Sequence, residues 1–182
     1  SFSLVRKSMT QQRLGDIDFR TKEKDKEAEK KLVKRGGVAL PLFGYTGAMS
    51  PARSLYALLF CAAAIDRNLH PDEIAEVNAL AVRTNTLGKA STKKLQSMQE
   101  EIEKELDDEI KTLRLAEKAS RYFRNKPRHG ASAFMHTLDI LFADRDLTER
   151  EKTFIKQLAY FMNIPPETAS TYVDVLMTKN DH

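Results

Sequence analysis

FADRDLTEREKTFIKQLAYF, residues 142–161, has a near-copy in AIDRNLHPDEIAEVNALAVR, residues 64–83, at an offset of 78 positions. Both read as two apolar or small residues, Asp-Arg, Asp or Asn, Leu, three variable positions and Glu, followed by a helical pattern. In each copy an apolar helix ends at an aspartate, Asp66 or Asp144, and a new helix starts within a few residues. The unit is a helix-loop-helix used twice. In the second copy Thr148-Glu149-Arg150-Glu151 has the form of a capping box, in which a Thr hydroxyl and a Glu carboxylate satisfy free backbone N–H groups reciprocally. In the first, Pro71 sits where a first-turn proline is tolerated and Glu73 falls opposite Glu151.

Outward from these turns the pattern stays helical. Helices are expected near 52–65, 71–85, 92–125, 130–143, 149–162 and 166–178, with no strand-like alternation of useful length. The fold class is therefore all-α: a helical bundle built from two pseudo-repeated helix-loop-helix units joined by a long charged helix. Within 92–125, Leu95, Met98, Ile102, Leu106, Ile110 and Leu113 form one apolar stripe that should be buried. The acidic flank Glu100–Glu109 is either a solvated face or a dock for the chain's own basic N-terminal extension. Phe134, Leu138, Leu141 and Phe142, like Phe154, Leu158, Phe161 and Met162, recur at helical spacing and read as core.

The 182 residues, 41% of them hydrophobic, suit one domain with an extension. Residues 1–35 form a basic, polar, partly helical extension, residues 36–51 a Gly/Pro-containing docking linker, and residues 52–182 the helical domain. Residues 1–40 hold 11 Lys/Arg against 6 Asp/Glu, whereas the remainder is nearly balanced. The partner-binding candidates lie there: Lys22, Lys24, Lys26, Lys30, Lys31, Lys34 and Arg35 for an acidic surface, and Leu40, Leu42, Phe43 and Tyr45 for an apolar one. A protein partner is expected, within a larger or membrane-associated complex; no RNA-binding signature appears, and nucleic acid is not expected.

The longest apolar run, Ser54–Ile65, is shorter than the roughly 20 residues of a membrane span, so no transmembrane segment is expected. The start lacks the apolar core of a secretory signal, and the single cysteine, Cys61, cannot form an internal disulfide. A cytoplasmic location is the corresponding expectation.

A carboxylate at a helix C-terminus meets the negative end of the dipole, so Asp66 and Asp144 need compensation. The adjacent arginines or a turn hydrogen bond can provide it, and so can a cation held by Asp66, Asn68 and Glu73 or by Asp144, Asp146 and Glu151. These are hard oxygen donors suited to Ca²⁺ or Mg²⁺, and no cofactor is required. An EF-hand is excluded because position 12 of the second loop is Ile155.

The motifs Asp66-Arg-Asn-Leu-His-Pro-Asp-Glu73 and Asp144-Arg-Asp-Leu-Thr-Glu-Arg-Glu151, joined through a charged helix, resemble the TerB-like family, the tellurite-resistance TerB proteins and their relatives, over about residues 52–178. The resemblance implies an all-helical domain associated with stress responses and membrane-linked complexes, with Asp66, Glu73, Asp144 and Glu151 as metal candidates. Such turns commonly read Asp-Gly, where this chain has Arg67 and Arg145.

Catalytic machinery is not expected. Cys61 lies on an apolar helix with no base beside it, and His129, His136 and Asp139 are too few for a metal centre. No phosphate-binding glycine loop or nucleophile elbow occurs. The chain reads as a non-enzymatic TerB-like interaction module, or alternatively as a structural accessory subunit anchored by its extension.

Overall fold

Residues Ser54–Ala63 leave no polar stripe on a helix, and a helix apolar on all sides must be enclosed. The computed structural model describes residues 17, 49–66, 69, 71–143 and 147–180, and every element below lies in the second of two units, Met49–His182. The extension and linker candidates, Lys22 to Tyr45, lie outside the described residues, as do Asn68, Asp144 and Asp146.

Helix α1 (Pro51–Ala63) is the enclosed one. Ser50 caps it by accepting from the Arg53 N–H at 3.2 Å, and Pro51 occupies the first turn, where its missing N–H costs nothing. Around it stand α2 (Pro71–Arg83), α3 (Thr92–Glu103), α4 (Glu109–Ser120) and α5 (Pro127–Leu141), all four in contact with α1. α6 (Glu149–Phe161) packs on α4 and α5, and α7 (Pro166–Asn180) on α5. The described residues contain no strand.

The amphipathic helices bury the expected faces. Phe134, Leu138, Leu141 and Phe142 are buried, as are Phe154, Leu158 and Met162, with Phe161 half-buried. α7 contributes Ala169, Val173 and Leu176. Asn163 ends α6 in the left-handed region (φ 57°), a conformation asparagine tolerates better than most residues, and Pro165 and Pro166 launch α7. Pro127 opens α5 from inside its first turn, three residues before the expected start.

One expectation is corrected. Residues 92–125 carry two helices instead of one long charged helix. The end of α3 tightens through Glu105 N–H to Ile102 C=O (2.8 Å) and Leu106 N–H to Glu103 C=O (3.1 Å). Asp108 is then extended, and its carboxylate accepts from the Lys111 N–H at 2.8 Å, capping α4. The stripe splits with the helix: Met98 and Ile102 are buried, but α4 buries Thr112, Leu115, Ala116, Ala119 and Ser120 and leaves Ile110 exposed.

A chain of polar side chains joins α1, α2 and α3. The fully buried Tyr56 donates its hydroxyl to Asn78 Oδ1, Asn78 Nδ2 donates to Gln99 Oε1 at 3.2 Å, and Gln99 Nε2 donates to Glu103 Oε1 at 2.8 Å. Burial, with Glu103 nearby, pushes the phenol pKa up to about 12, so the hydroxyl stays a donor. Removing that donor orphans the Asn78 oxygen. Tyr56→Phe is therefore expected to cost about 1–2 kcal/mol in urea unfolding with an unchanged denaturant slope. A Phe variant as stable as the parent would show that the hydroxyl contributes nothing.

Candidate functional site

The two helix-loop-helix turns meet at one hydroxyl. α1 closes with the Ala64 N–H on Phe60 C=O (2.9 Å), buried Ile65 pins the turn to the core, and Asp66 is left at the surface. On the other side Thr148 caps α6: its Oγ1 accepts from the Glu151 N–H at 3.2 Å, and the Glu151 carboxylate accepts from the Thr148 N–H at 2.7 Å. The capping box read from the sequence is present, with both halves formed.

The Thr148 hydroxyl has a single proton and three carboxylate oxygens within reach: Asp66 Oδ1 at 3.1 Å, Asp66 Oδ2 at 3.3 Å and Glu151 Oε2 at 3.1 Å. Two carboxylates from sequence-distant turns thus converge on one small neutral group. Among the described residues this gives Asp66 a donor at the C-terminal end of α1, a hydroxyl 82 residues away in sequence; Arg67 lies outside the described residues. The signal in the sequence was Thr148 itself, already marked as a cap.

Glu73 lies beside Asp72 in the first turn of α2, where negative charge suits the helix dipole. Among the described residues the side-chain oxygens that converge here are those of Asp66, Thr148 and Glu151, fewer than the six to eight oxygens that calcium takes. Among the described residues no group of three or more His, Cys, Asp and Glu is placed to hold a metal.

The remaining chemistry-bearing side chains have structural settings. Cys61 is buried with its thiol 3.5 Å from the Thr112 carbonyl, and burial, with Glu105 adding to it, drives its pKa far up, away from the thiolate. His136 is half-buried on α5, and loss of solvent lowers its pKa. Asp139, its neighbour along the helix, instead accepts from Lys179 of α7 at 2.9 Å. Arg53 binds both Glu101 and, at 2.9 Å, Glu105, tying the start of α1 to the end of α3. Burial opposes its charge, but the two carboxylates hold the guanidinium pKa above its usual value.

Residues 52–172 match the family model for the tellurite resistance protein TerB, which is more than half of the chain. The chain belongs to the TerB family. The matched region of this TerB domain runs from α1 into α7 and includes both turns, whereas residues 1–51 lie outside it. No curated protein and no solved structure gives a significant match. Among the described residues no helix of this TerB protein is long and apolar enough to cross a membrane.

Proposed function

We propose that this TerB protein is a non-enzymatic interaction module whose joined turns take a divalent cation, Ca²⁺ or Mg²⁺, and whose basic extension engages an acidic partner surface in a stress-response setting. One observation carries the reading: Asp66 and Glu151 share a single neutral hydroxyl. Two like charges brought that close repel, and a cation between the turns relieves the repulsion while tying α1 to α6. Asp66, Thr148 and Glu151 would hold it, water and neighbouring turn oxygens would complete its shell, and Asp144, Asp146, Asn68 and Glu73 remain further candidate ligands. The chemistry supplied is electrostatic. A cation here changes how firmly two turns are joined, and so what a partner meets at that end of the domain.

The test is thermal unfolding with Ca²⁺, Mg²⁺ or chelator, for the wild type and for Asp66→Asn with Glu151→Gln. Glutamine preserves a capping box, so the double variant removes charge while keeping the cap. At a tenfold excess over Kd the cation should stabilise the wild type by about 1.4 kcal/mol, and the double variant should not respond. In chelator the variant should be at least as stable as the wild type, because the carboxylate repulsion is gone. Identical melting of both proteins in every ion would reduce the pair to caps.

A further inference from the structure

α3 carries its charges the wrong way round. A helix favours acidic residues in its first turn and basic ones in its last, because unpaired N–H groups make its start positive and unpaired C=O groups make its end negative. α3 instead has Lys93 and Lys94 at its start and Glu100, Glu101 and Glu103 at its end, with no acidic residue in the first turn and no basic one in the last. No Lys–Glu pair stands three or four positions apart within Thr92–Glu103 to offset this. The cap is long as well: the Ser91 hydroxyl accepts from the Lys94 N–H at 3.4 Å. Such a sequence is a weak helix by itself, so α3 keeps its form through what it rests on.

Among the described residues its chief neighbour is α1, and the apolar part of that support is small. Met98 and Ile102 are the buried residues of α3, and residues 71–103 contain no aromatic side chain. By contrast α5 and α6 bury Phe134, Leu138, Phe154 and Leu158. The polar ties of α3 are correspondingly important. Arg53, in the first turn of α1, binds Glu101 in the last turn of α3 and, at 2.9 Å, Glu105 just beyond it; Lys118 of α4 also reaches Glu105, at 4.0 Å. Arg53 thereby supplies, from another helix, the cation that the last turn of α3 lacks. Asn78 of α2 adds its bond to Gln99 at 3.2 Å. Both ends of α3 are joints outside any helix, the tight turn closed by Gly88 N–H on Thr84 C=O and the break that ends at extended Asp108.

We propose that α3 is a strap latched by Arg53, which unwinds and lifts from α1 as a local unit while α1, α4, α5 and α6 stay folded. Opening hydrates polar ties that water replaces well and uncovers two apolar side chains of α3, so this helix opens more easily than the aromatic-packed remainder. When it lifts, the side of α1 that it covers becomes accessible, and an acidic group competing for Arg53 favours that state. The strap is separate from the Asp66–Thr148–Glu151 junction and does not depend on a cation there.

Native-state hydrogen exchange on the full chain, followed amide by amide in low urea, tests this. The amides from Leu95 to Glu103 should exchange at least about tenfold faster than those of Leu58 and Leu138, with a shallower dependence on urea. Arg53→Gln should speed exchange in α3 by roughly fivefold. Leu176→Ala, on α7 where it packs on α5, should speed exchange at Leu138 and leave α3 unchanged, because a unit that opens by itself does not report the stability of the rest. Exchange of α3 at the rate and urea slope of Leu138 would overturn the proposal. So would equal acceleration of α3 and Leu138 in Leu176→Ala, or an Arg53→Gln variant in which α3 exchanges as in the wild type.

Discussion

Phe60→Ala should lower the unfolding free energy by roughly 3–5 kcal/mol and the melting temperature by roughly 10–20 °C. Phe60 is fully buried in the last turn of α1, edge-on to Tyr56 with ring centroids 4.9 Å apart. Because α1 is enclosed by α2, α3, α4 and α5, a hole at Phe60 has no solvent-facing side from which the bundle can collapse to fill it. The cost therefore combines lost transfer energy with a persistent cavity. Val82→Ala is the matched control, since Val82 is exposed on α2 and its truncation should change stability by under about 0.5 kcal/mol. Equal losses in the two variants, measured by denaturant unfolding, would remove α1 from its place as the centre of the core.

Gly88→Val should cost about 3 kcal/mol, through a different mechanism. After α2 the chain turns tightly: the Thr84 hydroxyl donates to Ala81 C=O at 2.9 Å and accepts from the Leu87 N–H at 3.1 Å, and the Gly88 N–H reaches Thr84 C=O at 2.8 Å. A Cβ on Gly88 would stand 2.6 Å from the Val82 carbonyl oxygen and 2.8 Å from that of Thr84. Both obstacles are backbone atoms, so no rotamer change relieves the clash. The turn must open, and fully buried Leu87 is pulled with it. Gly88→Ala should show a smaller loss of the same sign, and retention of wild-type stability in both variants would mean that the turn yields freely.

The helices that sequence pattern located best are those bounded by backbone chemistry. Pro71 and Pro166 each sit in a first turn, and Thr148 with Glu151 forms a complete capping box, whereas Pro127 opens α5 three residues ahead of the start expected at 130. The break at residues 104–108 was hidden because no glycine or proline marks it, and the apolar spacing continues across it from Ile102 to Leu106 and Ile110. Its signal was the pair Asp107-Asp108 ahead of Glu109, an N-cap embedded in a run that reads as uniformly acidic. The candidate site was legible by residue and illegible by pairing. Asp66 and Glu151 stood out because each belongs to a repeated motif, but their convergence on Thr148 depends on how two distant turns pack. Asn78 and Gln99 were missed for a related reason: amides beside an apolar stripe look solvent-facing until a buried phenol is found to need them.

The enclosure of α1 also bears on how the chain is made. Vectorial synthesis delivers this helix, with apolar side chains on every face, before any of the four helices that surround it. Its cover is complete only when Leu141 has been added, 78 residues after Ala63. At bacterial or eukaryotic elongation rates that interval is roughly 4–16 s, long compared with the microseconds in which an exposed apolar segment collapses or finds a wrong contact. Throughout that interval the nascent TerB domain carries its most apolar helix without the neighbours that enclose it, and the residues that make the finished protein firm are those that make its birth hazardous.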